Sequence, residues 1–216
     1  MKQLFVIPLV LIAHGAVAAS TAGLAVNGFV TPPSCSIALS GDLNVSLGTI
    51  AAGALNQAAR TDLAEAAAGN LDVSCIGPTL IGLSAIDNVH ATTYFPGASD
   101  GKYFGLGTDS DGNNIGNYQI YLDHPVIDSA PGYMTMSTDN GSTWFSVSGA
   151  NNATLLRGAI TTTSSWSKVA AGAPPSLLTT VSVPMIIRPM IAPKNSLNTT
   201  VPINLNGSAT LELVYL

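Results

Sequence analysis

Two cysteines are the residues of this sequence best placed to form a covalent link. Cys35 and Cys75 stand 40 positions apart, and the chain has no third cysteine. In an oxidising compartment such a pair is most simply a disulfide, which would stabilise the fold by about 4 kcal/mol in the chain-entropy model. Two free buried thiols are the alternative. A metal site has less support, because there is no Cys-x-x-Cys spacing and no nearby histidine.

Catalytic and metal-binding patterns are weak along the whole chain. Ser165 and Lys168 match the Ser-x-x-Lys spacing of serine acyl enzymes, but the companion motifs of those enzymes are absent. Asp109 begins an acidic turn that resembles a calcium loop, yet an EF-hand needs Gly where Asn114 stands and Glu where Ile120 stands. We therefore predict no enzyme activity, no catalytic residues, no cofactor and no metal. A weak ion site at the Asp109 turn is the alternative there.

The composition argues against two broad classes of function. Only 9% of the 216 residues are charged, against ~25% in a typical soluble domain, and the seven Lys and Arg residues form no cluster. Nucleic-acid binding and polybasic attachment to a membrane surface both need such clusters. With 47% hydrophobic residues the chain can still bury a sizeable core. A globular protein without a nucleic-acid partner is expected.

The N-terminus is typical of a secretory signal peptide over residues 1–19. Lys2 supplies a positive charge, residues 4–13 are apolar but too few to span a bilayer, and small residues follow, as a cleavage site requires. A membrane anchor is the alternative. We expect the mature protein, residues 20–216, to be exported and soluble. It should form a single enlarged domain with long loops in the region 88–175.

Short apolar or alternating segments, separated by turn-forming residues, dominate the mature chain. This pattern predicts an all-β sandwich. One short helix or helical turn is expected at Ala58–Ala68, where alanine is frequent. The segments that we assign to strands are 25–31, 44–50, 70–75, 79–85, 115–122, 143–147, 155–162, 181–187 and 209–216.

The last of these segments alternates strictly. With the period of two of a β-strand, one face carries Ala209, Leu211, Leu213 and Tyr215. The opposite face carries Thr210, Glu212 and Val214. An ordinary immunoglobulin-like sandwich can also end in a core strand, so this pattern alone does not decide the function.

Several short motifs add to this terminal strand. They are Gly-x-x-Thr-Pro-x-x-Cys ending at Cys35, Asp87-Asn88, Phe104-Gly105-Leu106-Gly107, Ile115-Gly116-Asn117-Tyr118 and the closing run from Gly207 to Leu216. Together with the second cysteine, these motifs resemble the subunits of chaperone–usher fimbriae, which are also called pili. The nearest likeness is to an uncharacterised fimbrial-type domain family. The resemblance spans nearly the whole mature chain.

The resemblance implies a fold and a mode of assembly. Pilin domains are immunoglobulin-like sandwiches that lack their last strand, and a periplasmic chaperone and then the N-terminal extension of another subunit donate it. The implied partners are this chaperone, an outer-membrane usher and other fimbrial subunits. The implied destination is the cell surface, reached through the periplasm.

The same resemblance assigns residues to the groove that receives the strand and to the strand that is donated. The wall of the groove would be formed by Ala209, Leu211, Leu213, Tyr215 and Leu216, with the Leu216 carboxylate meeting basic residues of the chaperone. The candidate donor residues are Ala22, Leu24 and Val26.

Two features depart from the usual pilin pattern. Ile203 stands where pilins carry a glycine ahead of the last strand, and only eight residues lie between the expected cleavage point and Gly28. Such departures fit a minor, tip or terminating subunit, or pairing through a shortened strand.

A carbohydrate-binding, lectin-like sandwich or a tip adhesin is the alternative function. Exposed aromatic side chains in the polar middle of the chain could stack on sugar rings, while Asn and Asp bind the hydroxyls. The aromatic residues concerned are Tyr103, Tyr133, Trp144, Phe145 and Trp166. Their other role would be to cap the core. A host or surface glycan would then be the partner.

Overall fold

The computed structural model describes residues 24–28, 34–41, 44–94, 101–146, 154–155 and 162–216. The expected signal peptide and Ala22 lie outside these residues. The chain divides into two units, Met1–Pro32 and Pro33–Leu216. Residues 24–28 of the first unit have no regular secondary structure and are exposed to solvent.

Within its described residues, the second unit consists of β-strands and three 3-10 helices, with no α-helix. The strands are β1 (Cys35–Ser40), β2 (Thr61–Asp62), β3 (Ala66–Thr79), β4 (Ile81–Asp87), β5 (Phe104–Gly105), β6 (Gly116–Leu122), β7 (Val126–Ile127), β8 (Ala130–Pro131), β9 (Tyr133–Ser137), β10 (Thr154–Leu155), β11 (Thr163–Ser167), β12 (Leu178–Ile191) and β13 (Ala209–Tyr215). The 3-10 helices are Ala52–Ala54, His90–Thr92 and Lys194–Ser196.

The strands form two antiparallel sheets that pack as a sandwich. The larger sheet has the order β1-β3-β12-β6-β10, with β2, β5, β7 and β8 paired at its margins. The smaller sheet has the order β13-β4-β11-β9. β3 and β12 are each 14 residues long and lie side by side in the middle of the larger sheet. The expected all-β, sandwich-like architecture is confirmed.

The core lies between the sheets and follows from the alternation of side chains along each strand. In β4, Leu83 and Ala85 are buried, and in β12 Val181 and Val183 are buried. Residues two apart on a strand share a face, so each strand contributes a row of apolar side chains to the interior. Trp166 of β11 is fully buried. The sandwich is therefore held by one contiguous hydrophobic cluster.

The helix expected at Ala58–Ala68 is not formed. β2 lies within this segment and pairs with the last two residues of β12. β3 begins at Ala66, which pairs with Ile187 of β12. The helix preference of alanine over other residues is below about 1 kcal/mol per residue, so pairing with a long neighbouring strand outweighs it.

Candidate functional site

β1 and β13 are edge strands of the second unit, and each has one side without a strand partner among the described residues. β1 pairs with β3, and β13 pairs with β4, each along one side only. Because β1 and β13 belong to different sheets, the gap between them opens the side of the sandwich. We call this opening the cleft. One of its walls is Leu39 of β1 with residues 44–50, and the other is residues 199–208 with Ala209 and Leu211 of β13.

The free edge of β1 presents backbone groups at every second residue. The Ser34 carbonyl accepts a hydrogen bond from the N–H of Ile76 at 3.0 Å. Because these two residues continue the register of β1 and β3, the bond shows which residues of β1 direct their backbone groups toward β3. In an antiparallel ladder, the residues between two hydrogen-bonded pairs point their N–H and C=O groups to the other side. These outward groups belong to Cys35, Ile37 and Leu39.

The free edge of β13 has the same property. The N–H of Asn88 donates to the carbonyl of Ser208 at 3.0 Å, and the N–H of Leu216 donates to the carbonyl of Leu80 at 3.1 Å. Between these two pairs the alternate residues direct their backbone groups away from β4. They are Ala209, Leu211, Leu213 and Tyr215. Such an edge is a template for pairing with a further strand.

The cleft has a volume of about 1300 Å³ and an uncharged lining. No Asp, Glu, Lys or Arg occurs among the described residues that line it. Core side chains, including Leu106, Ile115 and Tyr118, form its floor. A charged group would lose its hydration there without gaining a partner, so the cleft favours an apolar occupant.

Apolar side chains of the walls are only partly covered. Leu39, Val45, Ile203, Leu205 and Leu211 pack against the core cluster, yet each is intermediate in burial rather than buried. Contiguous exposed apolar surface of this kind marks an interaction site in soluble proteins. The cleft therefore has the properties of a surface that another segment covers.

The residues expected in the groove divide into three groups. Ala209 and Leu211 line the cleft. Leu213 packs against the core without lining the cleft. Tyr215 and Leu216 lie at the end of the last strand and are 51% and 44% exposed.

Most of the wall comes from two segments that the sequence did not assign to the groove. Residues 44–50, predicted to form a strand, are described without a strand assignment, and so are residues 199–208. In part of each segment alternate residues are more buried than their neighbours, as with Val45 and Leu47 in the first and Ile203 and Leu205 in the second. This period of two is the signal that could have identified them. Ile203, at the position of the usual pilin glycine, is one of the wall residues.

A hydrogen bond spans one end of the opening. The backbone N–H of Cys35 donates to Oη of Tyr215 at 2.8 Å. The two residues are 180 positions apart in the chain and belong to different sheets. Through this bond the end of β13 is connected to the start of β1.

The disulfide expected between Cys35 and Cys75 is confirmed. The two residues are direct partners in the register of β1 and β3, and their Cα atoms lie 4.0 Å apart. The bond ties one wall of the cleft to the middle of the larger sheet. It also indicates an oxidising compartment, as an exported protein would meet.

Motifs that are far apart in the sequence meet beside the cleft. The carboxylate of Asp87 accepts a hydrogen bond from the N–H of Gly105 at 2.8 Å. The side-chain amide of Asn88 donates to the hydroxyls of Ser208 at 2.9 Å and Thr210 at 3.2 Å. These bonds connect the end of β4 to β5 and to the start of β13.

The side chains of these motifs also pack closely against one another. The rings of Phe104 and Tyr118 stack with their centroids 5.3 Å apart. A Cβ at Gly207 would lie 2.6 Å from the Tyr118 ring and 3.1 Å from Leu106, so a side chain would force the wall outward. The N–H of Asn206 donates to the Leu106 carbonyl at 2.9 Å. Glycine at this position lets the second wall lie directly on the core.

The turn that resembles a calcium loop is held by its own hydrogen bonds. Oδ1 of Asp109 accepts the N–H groups of Asp111 at 3.0 Å and Asn113 at 2.8 Å. Oδ2 accepts the Asn113 side chain at 3.0 Å and the N–H of Asn198 at 2.7 Å. Burial acts to raise the pKa of Asp109, but these hydrogen bonds outweigh it and lower the pKa to about 2. The carboxylate thus anchors residue 198, immediately before a cleft wall.

Asp109→Asn is expected to lower the free energy of unfolding by about 1.5–3 kcal/mol, because hydrogen bonds to a charged acceptor are lost. The folded pKa of about 2 lies below the ordinary 3.8. The stabilisation is therefore complete above about pH 4 and is lost as the pH falls through the folded pKa. Urea unfolding of both proteins between about pH 7 and pH 2.5 should show a shrinking difference.

Exposed Asp111 offers a matched control for this prediction. Asp111→Asn should change the free energy of unfolding by less than about 0.5 kcal/mol. A difference between Asp109→Asn and the unaltered chain that stays constant over the whole pH range would contradict the role of the ionised carboxylate.

The residues that match the Ser-x-x-Lys spacing have separate structural partners. The buried Oγ of Ser165 donates to the carbonyl of Ile81 at 2.6 Å. Nζ of Lys168 lies 2.6 Å from Oδ2 of Asp128. Each side chain therefore helps to hold neighbouring strands and loops together.

The aromatic residues considered for glycan binding differ in exposure. Trp166 is fully buried and caps the core. Trp144 is half-buried, and its indole N–H donates to the Gly141 carbonyl at 3.1 Å. Phe145 is 37% exposed. Trp166 is therefore not available for stacking on a sugar ring.

No protein-family model matches this chain, and no curated protein matches it either. Within the described residues, no helix has the length and hydrophobicity that crossing a membrane requires.

Proposed function

We propose that this chain is a structural or adhesive subunit of a chaperone–usher fimbria, assembled by donation of a β-strand from another subunit. The observation that carries the proposal is the uncharged cleft between the free edges of β1 and β13. An extended segment placed there would form main-chain hydrogen bonds with these edges and cover the half-buried wall. In this proposal the fold is an immunoglobulin-like sandwich that lacks one strand.

The walls of the cleft specify what kind of strand fits. The free backbone groups of β13 lie at alternate residues, and a strand that pairs with them presents every second side chain to the cleft. These side chains need to be apolar, because a charge without a partner in the uncharged lining costs several kcal/mol. The strand pairs among the described residues are all antiparallel. Pairing antiparallel to β13 would continue this arrangement.

The N-terminal segment of a second copy of the chain meets these requirements. Residues 20–28 carry no charge, and Ala22, Leu24 and Val26 alternate along them. Leu24 and Val26 are 90% and 87% exposed. Their burial in the cleft of another subunit would gain about 1.5–3 kcal/mol each. We therefore propose this segment as the donated strand.

A periplasmic chaperone would occupy the cleft first, and an outer-membrane usher would then mediate the exchange of strands. Leu216 follows β13 directly and stays paired with Leu80 through its N–H. Leu216 is part of the proposed contact region of the chaperone. The disulfide and the expected signal peptide are consistent with passage through the periplasm to the cell surface.

The proposal is tested by supplying the missing strand within the same chain. A copy of residues 20–28 is appended after Leu216 through a Gly/Ser linker. We expect this chain to be monomeric and more stable than the free chain by about 3–6 kcal/mol, since two large aliphatic side chains become buried and the linker makes donation intramolecular. Periplasmic yield and melting temperature are measured for the free chain, the appended chain and the free chain with a candidate chaperone.

The control carries the same appended strand with Leu24→Asp and Val26→Asp in the appended copy only. It should be no more stable than the free chain, because the charges oppose insertion. If the free chain is a well-folded monomer and neither appended strand changes its melting temperature, the incomplete sandwich is wrong. A complete sandwich with a glycan-binding role would then take its place, and binding to a glycan array would support it.

A further inference from the structure

Tyr215 bridges the two edges that border the cleft. Its ring extends from β13, and its Oη accepts the N–H of Cys35 at 2.8 Å. Cys35 is itself held in place, because its disulfide to Cys75 ties it to β3. The backbone donor that Cys35 would offer to an incoming strand is therefore already used.

The open part of the cleft begins four residues along each strand from this bridge. Leu39 and Leu211 line the cleft, whereas Ile37 and Leu213 pack against the core without lining it. From Leu39 and Leu211 the cleft continues along its two extended wall segments. A strand in the cleft has space toward these wall segments. In the opposite direction, toward Cys35, the ring of Tyr215 and its hydrogen bond block the strand.

We infer that Tyr215 sets the register of a donated strand by stopping it at this end of the cleft. The strand pairs with Leu39 on one side and with Ala209 and Leu211 on the other. It does not reach Cys35. This inference rests on the proposed function, and it confines the contact region to the start of β13, whereas the resemblance implies a groove along the whole strand from Ala209 to Leu216.

The ring and the hydroxyl of Tyr215 have different roles in stopping the donated strand. The ring fills the gap between the two edges, and the hydroxyl holds it there. Tyr215 is 51% exposed, so the ring has room to move once its hydrogen bond is removed. Tyr215→Phe keeps the ring but frees the N–H of Cys35, and a donated strand is then able to extend to that residue.

The test follows backbone amide exchange by NMR in the full chain, alone and with a synthetic peptide of residues 20–28. In the unaltered chain the peptide should slow exchange at Leu39 and Leu211 and leave Cys35 unchanged. In Tyr215→Phe without peptide, the Cys35 amide should exchange roughly 2- to 10-fold faster, as the loss of one hydrogen bond implies. With peptide, the slowing should now include Cys35.

Tyr133→Phe is the matched control, because β9 lies at the opposite edge of the smaller sheet from β13. It should leave both exchange patterns unchanged. If the peptide slows exchange at Cys35 in the unaltered chain, or if Tyr215→Phe leaves the contact region of the peptide as it was, the register stop is wrong while strand donation stands. If the peptide slows exchange nowhere in β1 or β13, strand donation fails and the register stop fails with it.

Discussion

Leu211→Asp is expected to abolish capture of a donated strand. Leu211 faces the cleft from β13, packs against the core and is only half-buried. A carboxylate at this position would be desolvated by any strand that covers it, and the described lining residues include no Lys or Arg to pair with it. A cost of about 4 kcal/mol corresponds to a loss of roughly a thousandfold in affinity. Calorimetric titration with the peptide of residues 20–28, and co-purification with a candidate chaperone, measure this loss.

The neighbouring residue on the same strand offers a matched control. Thr210 is exposed on the outer face of β13, where its hydroxyl contacts Asn88. Thr210→Asp adds the same charge outside the cleft and keeps an acceptor for the Asn88 amide, so peptide affinity should change by less than about threefold. An equal loss in both variants would show that β13 is merely destabilised. Undiminished binding by Leu211→Asp would contradict the proposed cleft.

Removal of the disulfide should lower the free energy of unfolding by about as much as Leu211→Asp weakens strand binding. The double variant Cys35→Ser/Cys75→Ser frees a loop that the bond closes over a separation of 40 residues. The chain-entropy model gives a loss of about 4 kcal/mol. For a chain of this size that corresponds to a fall in melting temperature on the order of 10 °C. Thermal and urea unfolding of the oxidised chain and of the double variant measure the difference.

Strand capture should weaken in the same double variant. Among the described residues β1 has a strand partner on one side only, so the disulfide to β3 is a main restraint on this wall of the cleft. A looser β1 has to be ordered when a strand binds, and that ordering subtracts from the affinity. Reductant should bring the unaltered chain to the stability of the double variant and leave the double variant unchanged. A double variant within about 1 kcal/mol of the oxidised chain would contradict this account.

The sequence alone was sufficient for features that depend on local pattern or on simple pairing. The period of two in segments such as 209–216 predicts strands, because alternation of side chains is a property of each strand by itself. Two cysteines in a chain that is expected to be exported allow a single intrachain disulfide, so Cys35 and Cys75 were identified as partners without knowledge of the fold. The error at Ala58–Ala68 shows where local preference stops being decisive, since pairing with β12 overrides it.

The cleft itself was decided only by the tertiary structure. Residues 44–50 carry the same alternation as a paired strand, and nothing local distinguishes a strand with a partner from one without. Likewise, the contact between Cys35 and Tyr215 joins residues 180 positions apart. Which edges stay free, and which side chain closes the gap between them, depends on how two sheets stack. Such long-range contacts leave no trace in a short window of sequence, because each strand would look the same with or without its neighbour.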